Sequence, residues 1–104
     1  MFLFNRGPSI SAKELEGKLS ERPTIVDIRQ KDAFRMGHIP GAQHMTLDKL
    51  HRMKVKEEEP VYVVCYSGMN SKQGVQVLES RGIRAYSIKG GMNGWTGPVK
   101  GGNV

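Results

Sequence analysis

Residues Val63–Gly74 read VVCYSGMNSKQG. An apolar run beginning at Val61 ends on a cysteine, a short polar loop with one glycine follows, and a helical pattern starts at about Ser71. A continuous run of apolar and aromatic residues of this length is the signature of a strand buried on both faces, as in a parallel sheet. The turn from strand to helix through a polar loop is the repeating unit of an α/β domain. Cys65 stands at the carboxyl end of that strand, where open α/β sheets bind their ligands. It is also the only cysteine in the chain.

The same alternation extends outward in both directions. Upstream, Ser11-Ala12-Lys13-Glu14 is a capping box, and Ala12, Leu15 and Leu19 mark one face of the helix it opens. Thr24–Ile28 (TIVDI) predicts a second strand. Lys31–Met36 predicts a short helix with Ala33, Phe34 and Met36 partly buried. Gly37-His38-Ile39-Pro40-Gly41 is a turn, because two glycines and a proline interrupt any regular element. Ala42–Met45 predicts a brief strand. Thr46 is placed to cap a helix with Leu47, Leu50 and Met53 inward, and Glu57-Glu58-Glu59-Pro60 is a charged loop. Downstream, Ser71–Arg81 predicts a helix with Val75, Leu78 and Val77 inward and Gly82 as its stop. Ile83–Ile88 is a further strand, Gly90-Gly91 a turn, and Met92–Trp95 a last helical turn with Trp95 as a core plug. The fold class expected is α/β: one small parallel sheet with helices on both faces. The expectation is one domain over residues 1–104, with its core at about 9–96 and a loose C-terminal tail over 97–104.

Composition narrows the function. One cysteine forms no intramolecular disulfide, so a reducing setting is expected. The opening MFLFNRGPS is too short for a signal-peptide core, and no stretch approaches membrane-spanning length; a soluble, cytoplasmic protein is expected. The net charge is +6, from 16 Lys and Arg against 10 Asp and Glu. The basic residues are scattered, without runs or interleaved aromatics, which argues against a nucleic-acid platform. His44 and His51 lack partner spacing for a metal, and with one cysteine a zinc site is not expected.

A thiol becomes a nucleophile as the thiolate, which needs positive potential around it. Successive N–H groups of Cys65-Tyr66-Ser67-Gly68-Met69-Asn70-Ser71 can form a nest, and the helix that follows adds the positive end of its dipole. Gly68 permits a conformation a Cβ would resist, and Asn70 or Ser71 can cap the helix. No histidine or acid is near in sequence to serve as base. On these residues alone, a reactive thiol and an inert buried cysteine are equally good readings.

Several segments together resemble the rhodanese family of single-domain sulfurtransferases, from about Ser11 to Trp95. Ile25-Val26-Asp27-Ile28-Arg29 is similar to its strand ending in Asp-x-Arg, and Gly37-His38-Ile39-Pro40-Gly41-Ala42 to its Gly-His-Ile-Pro-Gly-Ala turn. Val63-Val64-Cys65 with Gly68 and Ser71 resembles the catalytic strand and loop, and Leu78, Gly82 and Gly90-Gly91-Met92 with Trp95 the closing segment. The resemblance implies that Cys65 takes the outer sulfur of a donor such as thiosulfate, holds it as a persulfide and passes it to cyanide or a thiol. Tyr66, Ser67, Gly68, Met69, Asn70 and Ser71 would be the substrate-binding loop, with Tyr66 bordering the pocket. Asp27, Arg29 and His38 would be supporting residues. The resemblance implies thioredoxin-like or sulfur-relay proteins as partners and no metal or organic cofactor; a nucleic acid or a membrane is not expected.

The chain departs from the pattern at one place. Many family members carry an arginine five residues after the cysteine, and this chain has Asn70. Two other readings compete: a non-catalytic rhodanese-like interaction module, and a cysteine-dependent phosphatase or arsenate reductase of related fold. The last would need an arginine at residue 71, which is Ser71.

Overall fold

Val61–Val64 (β4) is buried at every position and lies in the middle of a five-stranded sheet. The computed structural model describes residues 8–55 and 58–101. Its strands are β1 (Ser9–Ile10), β2 (Thr24–Asp27), β3 (Gln43–His44), β4 and β5 (Ala85–Ile88). They run in the spatial order β1-β5-β4-β2-β3, and every pairing is parallel. The helices are α1 (Ala12–Lys18), α2 (Lys31–Met36), α3 (Leu47–Leu50) and α4 (Asn70–Ser80), with 3-10 turns at Leu19–Glu21 and Gly91–Gly94.

Alternation along the strands builds two cores. Val26, Val61, Val63 and Ala85 point to one face and pack with Leu50, Met53, Val75 and Leu78 from α3, α4 and the loop after α3. Ile25, Tyr62, Val64 and Ile88 point to the other and pack with Leu15 of α1, Ile39 and Trp95. This is the expected architecture, a parallel sheet with helices on both faces. Each fully buried Val, Leu or Ile contributes roughly 1.5–3 kcal/mol relative to exposure. Gly74 of α4 faces the sheet: a Cβ there would lie 2.9 Å from Val63 and 3.1 Å from Leu50, so the absent side chain sets how closely α4 packs on β4.

Local signals act as physics dictates at both ends of the helices. The Ser11 hydroxyl accepts from the Glu14 N–H at 3.0 Å while the Glu14 carboxylate accepts from the Ser11 N–H at 3.0 Å. At the end of α4, Gly82 takes a left-handed φ of +78°. The N–H groups of Gly82 and Ile83 then donate to the Glu79 and Leu78 carbonyls, a Schellman closure.

Three expectations need correction, and one strand was missed. Met36 is 85% exposed rather than partly buried; it sits about 200° around α2 from Phe34, so one short helix cannot bury both. The Thr46 side chain makes no capping bond, although its backbone has the N-cap conformation. Residues 97–101, expected as part of a loose tail, are tied back. The Trp95 indole N–H donates to the Pro98 carbonyl at 2.9 Å, and His38 and Lys100 exchange backbone bonds of 2.7 and 2.8 Å. The strand β1 was not foreseen, because two residues carry no periodicity. Glu57 of the charged loop and residues 102–104 of the tail lie outside the described residues.

Candidate functional site

The chain leaves β2 toward β3 on one side of the sheet and leaves β4 toward β5 on the other. The carboxyl ends of β2 and β4 therefore face a topological switch point, where α/β sheets open a crevice. A cavity of about 530 Å³ lies there, lined by Ile28, Arg29, Gln30, Lys31, His44, Thr46, Cys65, Tyr66 and Asn70. Cys65 itself is 3% exposed.

At the β4 end, the sulfur is held by backbone. The Gly68 N–H donates to Cys65 Sγ at 2.9 Å and the Ser71 N–H at 3.3 Å. Ser71 is the second residue of α4, so the sulfur takes the place an N-cap oxygen would occupy. Neither Asn70 nor Ser71 caps the helix by its side chain, as the sequence had led us to expect. The Ser71 hydroxyl instead donates to the Gly68 carbonyl at 3.1 Å and lies 2.8 Å from the Ser87 hydroxyl, which pins the loop to β5. Burial of Cys65 pushes its thiol up. The Ser71 side chain and the N–H groups of Ser71, Gly68 and Ser67 outweigh that and hold it below a thiol's ordinary value.

Two glycines make the loop possible. Gly68 has φ +99°, and a Cβ on it would press on Ile88 O and Gly90 N at 3.3 Å. Gly91 has φ +54°, and a Cβ on it would stand 2.4 Å from the Cys65 carbonyl oxygen. The Gly90–Gly91 turn thus lies directly under the cysteine loop, where the Met92 and Asn93 N–H groups donate to the Cys65 and Tyr66 carbonyls at 2.8 and 2.9 Å.

The β2 end is built from charge. Asp27, 1% exposed, accepts from Arg29 Nε at 3.0 and 3.1 Å, from its Nη2 at 2.8 Å and from its backbone N–H at 3.0 Å. The same Nη2 donates to the Gly37 carbonyl at 2.7 Å. The pair thus ties the end of β2 to the Gly37–Gly41 turn. Arg29 reaches the cavity wall, and its guanidinium carbon lies 5.6 Å from the Tyr66 ring centroid. His38 is not among the residues that line the cavity: it stacks on Phe34 at 3.8 Å and donates from Nδ1 to the Phe34 carbonyl at 2.9 Å.

The seven-residue loop divides between two faces. Tyr66 and Asn70 line the cavity with Cys65, whereas Ser67, Gly68 and Met69 line a smaller one of about 290 Å³ on the other side, with Lys72 and Lys89. Ser71 is buried between them. Sequence reading missed Lys31 and His44 as cavity residues. Lys31 opens α2 just after β2, so the pairing of β2 with β4 brings it to Cys65, whereas His44 ends β3 and reaches the cavity only through the parallel pairing of β3 with β2. Among the described residues no group of three or more His, Cys, Asp or Glu could hold a metal ion, and no helix is long and apolar enough to cross a membrane.

A family model described as rhodanese-like domain matches residues 11–98. The chain belongs to the rhodanese-like domain family. The thiosulfate sulfurtransferase GlpE of Actinobacillus pleuropneumoniae serotype 3 (strain JL03) is 39% identical over 79 residues, 73% of each chain. A crystal structure of a rhodanese-like domain protein from Staphylococcus aureus superimposes with a TM-score of 0.81 at 33% identity, over 90% of this chain and 97% of that one. A protein of Staphylococcus saprophyticus subsp. saprophyticus matches with a TM-score of 0.77 at 31% identity, over 89% and 98%. This rhodanese-like domain therefore shares its fold with solved structures that it covers almost from end to end, and it has a thiosulfate sulfurtransferase among its relatives.

Proposed function

We propose that this rhodanese-like domain is a sulfurtransferase that carries sulfane sulfur on Cys65. The supporting observation is the thiol at the head of α4: it accepts two backbone N–H bonds, is held below a thiol's ordinary pKa and opens on the larger cavity. The Cys65 thiolate attacks the outer sulfur of thiosulfate. The sulfur–sulfur bond of the donor breaks, and sulfite leaves with its electron pair. The negative charge then rests on the outer sulfur of a Cys65 persulfide. Cyanide takes that sulfur as thiocyanate, and the electron pair of the broken bond returns to Sγ. A small thiol or a thioredoxin-like or sulfur-relay protein is the corresponding thiol acceptor. The Gly68 and Ser71 N–H groups serve both halves, because each half begins or ends with charge on Cys65.

Thiosulfate treatment should add one sulfur atom, seen by intact mass, and cyanide should remove it. Cys65→Ser should lose both the adduct and turnover; a Ser variant that keeps its rate overturns the mechanism. A protein that binds thiosulfate but never gains sulfur would be the non-catalytic module instead. The phosphatase reading needs an oxyanion clamp at residue 71, and Ser71 is buried with its hydroxyl committed to Gly68 and Ser87. Aryl phosphate hydrolysis should therefore be negligible.

A further inference from the structure

We propose that His44 takes the proton from an incoming thiol acceptor, so that protonated thiols can collect the sulfur from Cys65. This rests on the persulfide reading above and specifies its second half. The starting observation is the hydrogen bond of 2.7 Å between His44 Nε2 and the Arg29 carbonyl oxygen. A carbonyl oxygen only accepts, so Nε2 carries the hydrogen. The neutral ring therefore keeps its lone pair on Nδ1. No partner within the described residues bonds Nδ1, and no buried side-chain nitrogen or oxygen among them lacks a partner. Nδ1 is thus without a partner among the described residues, on a ring that lines the cavity with Cys65.

The register fixes where this base stands. His44 pairs with Asp27, and Asp27 pairs with Val64, the residue before Cys65. Two strand spacings separate them, about 10 Å between backbones. The outer sulfur of a persulfide stands about 2 Å beyond Sγ, so a thiol attacking it lies between the β4 wall and the β3 wall. The other groups around the ring are unsuited to accept a proton. Arg29 is committed to Asp27 and Gly37. Lys31 and Tyr66 line the same cavity, and lysine and tyrosine as residue types hold their protons at neutral pH. Among the described residues no Asp or Glu lines the cavity. Phe34 packs against the imidazole at 5.3 Å, with His38 stacked on Phe34 rather than facing His44. Imidazole is the side chain that exchanges a proton between pH 5 and 8.

The step balances without any further reagent. The thiol proton goes to Nδ1, and the thiolate electron pair forms a bond to the outer sulfur. The bond from that sulfur to Cys65 breaks, and its pair returns to Sγ under the Gly68 and Ser71 N–H groups. The products are the acceptor's persulfide, the Cys65 thiolate and an imidazolium that gives its proton to water.

The test compares two acceptors on protein loaded with thiosulfate, following loss of the added sulfur by intact mass. One is 2-mercaptoethanol, which has a proton to lose. The other is sulfite at mildly alkaline pH, which needs no base. His44→Gln keeps a donor for the Arg29 carbonyl and removes the base. Its thiol transfer near neutral pH, divided by its sulfite transfer at the mildly alkaline pH, should fall about a hundredfold below the wild-type ratio. The deficit should shrink as pH rises and free thiolate becomes abundant. In His44→Ala, which leaves room in the cavity, added imidazole should restore thiol transfer. An unchanged ratio, or a pH-independent loss with both acceptors together, overturns the assignment while leaving the persulfide intact. A wild-type protein that gains no sulfur overturns both.

Discussion

The two strand ends that frame the cavity solve the same problem by opposite means. The end of β2 buries a full ion pair, Asp27 with Arg29, and satisfies it with bonds to side chain, backbone and the neighbouring turn. The end of β4 has no charged side chain in its loop and surrounds one sulfur with N–H dipoles. The difference is one of duty. A buried ion pair holds geometry well but tolerates no change of charge on either partner. A cradle of N–H groups favours an anion without neutralising it, so the sulfur can gain and lose a bond while its supports stay fixed. Architecture at β2 and chemistry at β4 are kept on separate residues.

The largest effect should come from breaking the charged end. Asp27→Asn leaves the Arg29 guanidinium buried without its carboxylate, and removing one partner of a buried pair costs about 3–5 kcal/mol. Urea unfolding should show a loss of that order. The double variant Asp27→Asn, Arg29→Met should recover part of it, because no charge is then left unpaired. The same Asp27→Asn protein, where folded, should still present a thiol with a lowered pKa, since Gly68 and Ser71 are untouched. A loss below about 1 kcal/mol would mean that the pair is no more than an ordinary surface bridge.

What could be read in advance follows the same divide. β4, α4 and the Ser11 capping box were legible because each depends on residues adjacent in sequence: a run of apolar and aromatic residues, a helical stripe, a reciprocal cap. Cys65 was legible as a site because strand ends in parallel sheets are where sites form. Lys31 and His44 were not, since their approach to Cys65 depends on β2 lying between β3 and β4, a long-range pairing with no local signature. The cap of α4 was misread for a related reason. Asn70 and Ser71 are good cap residues by type, but the sulfur had already taken the Ser71 N–H. The tail over 97–101 looked loose by composition, and the backbone pairing of Lys100 with His38 could not be seen from glycines and a proline.

A smaller effect sharpens the uncharged end. The native thiol of Cys65 lies below its ordinary pKa despite burial, because the loop N–H groups and the Ser71 side chain favour the thiolate. The folded domain therefore loses this proton at lower pH than the unfolded chain. The stability contributed is fully present above the unfolded thiol's pKa and is lost as pH falls through the lowered native value. Between the two, stability should rise with pH, and Cys65→Ser should abolish that rise. Alkylation by iodoacetamide should show the same shift, with a midpoint below that of a free thiol. A midpoint at or above the free value would mean that burial outweighs the loop.

The smallest effect adds charge where the β4 loop has none. Asn70 lines the cavity beside Cys65 and Tyr66, on the wall that lacks a cation. Thiosulfate brings two negative charges. Arg29 is already neutralised by Asp27, which leaves Lys31 on the opposite wall as the unpaired cation among the described lining residues. At about 4 Å, two unit charges attract by roughly 4 kcal/mol at an effective dielectric near 20 and by roughly 1 kcal/mol in bulk water. Residue 70 is exposed and the cavity must admit a donor, so the lower figure governs. A difference of about 1.4 kcal/mol is tenfold in an equilibrium constant. Asn70→Arg should therefore lower the thiosulfate KM several-fold. The sulfonate is held before and during the attack alike, so kcat should change less. Added salt should erode part of the gain, because the new contact is reached by solvent. Steady-state transfer from thiosulfate to cyanide, run for both proteins at low and moderate salt, reads each of these. A KM that stays the same or rises in a folded Arg variant would show that the donor does not meet residue 70, and the β4 loop would then hold its substrate by N–H groups alone.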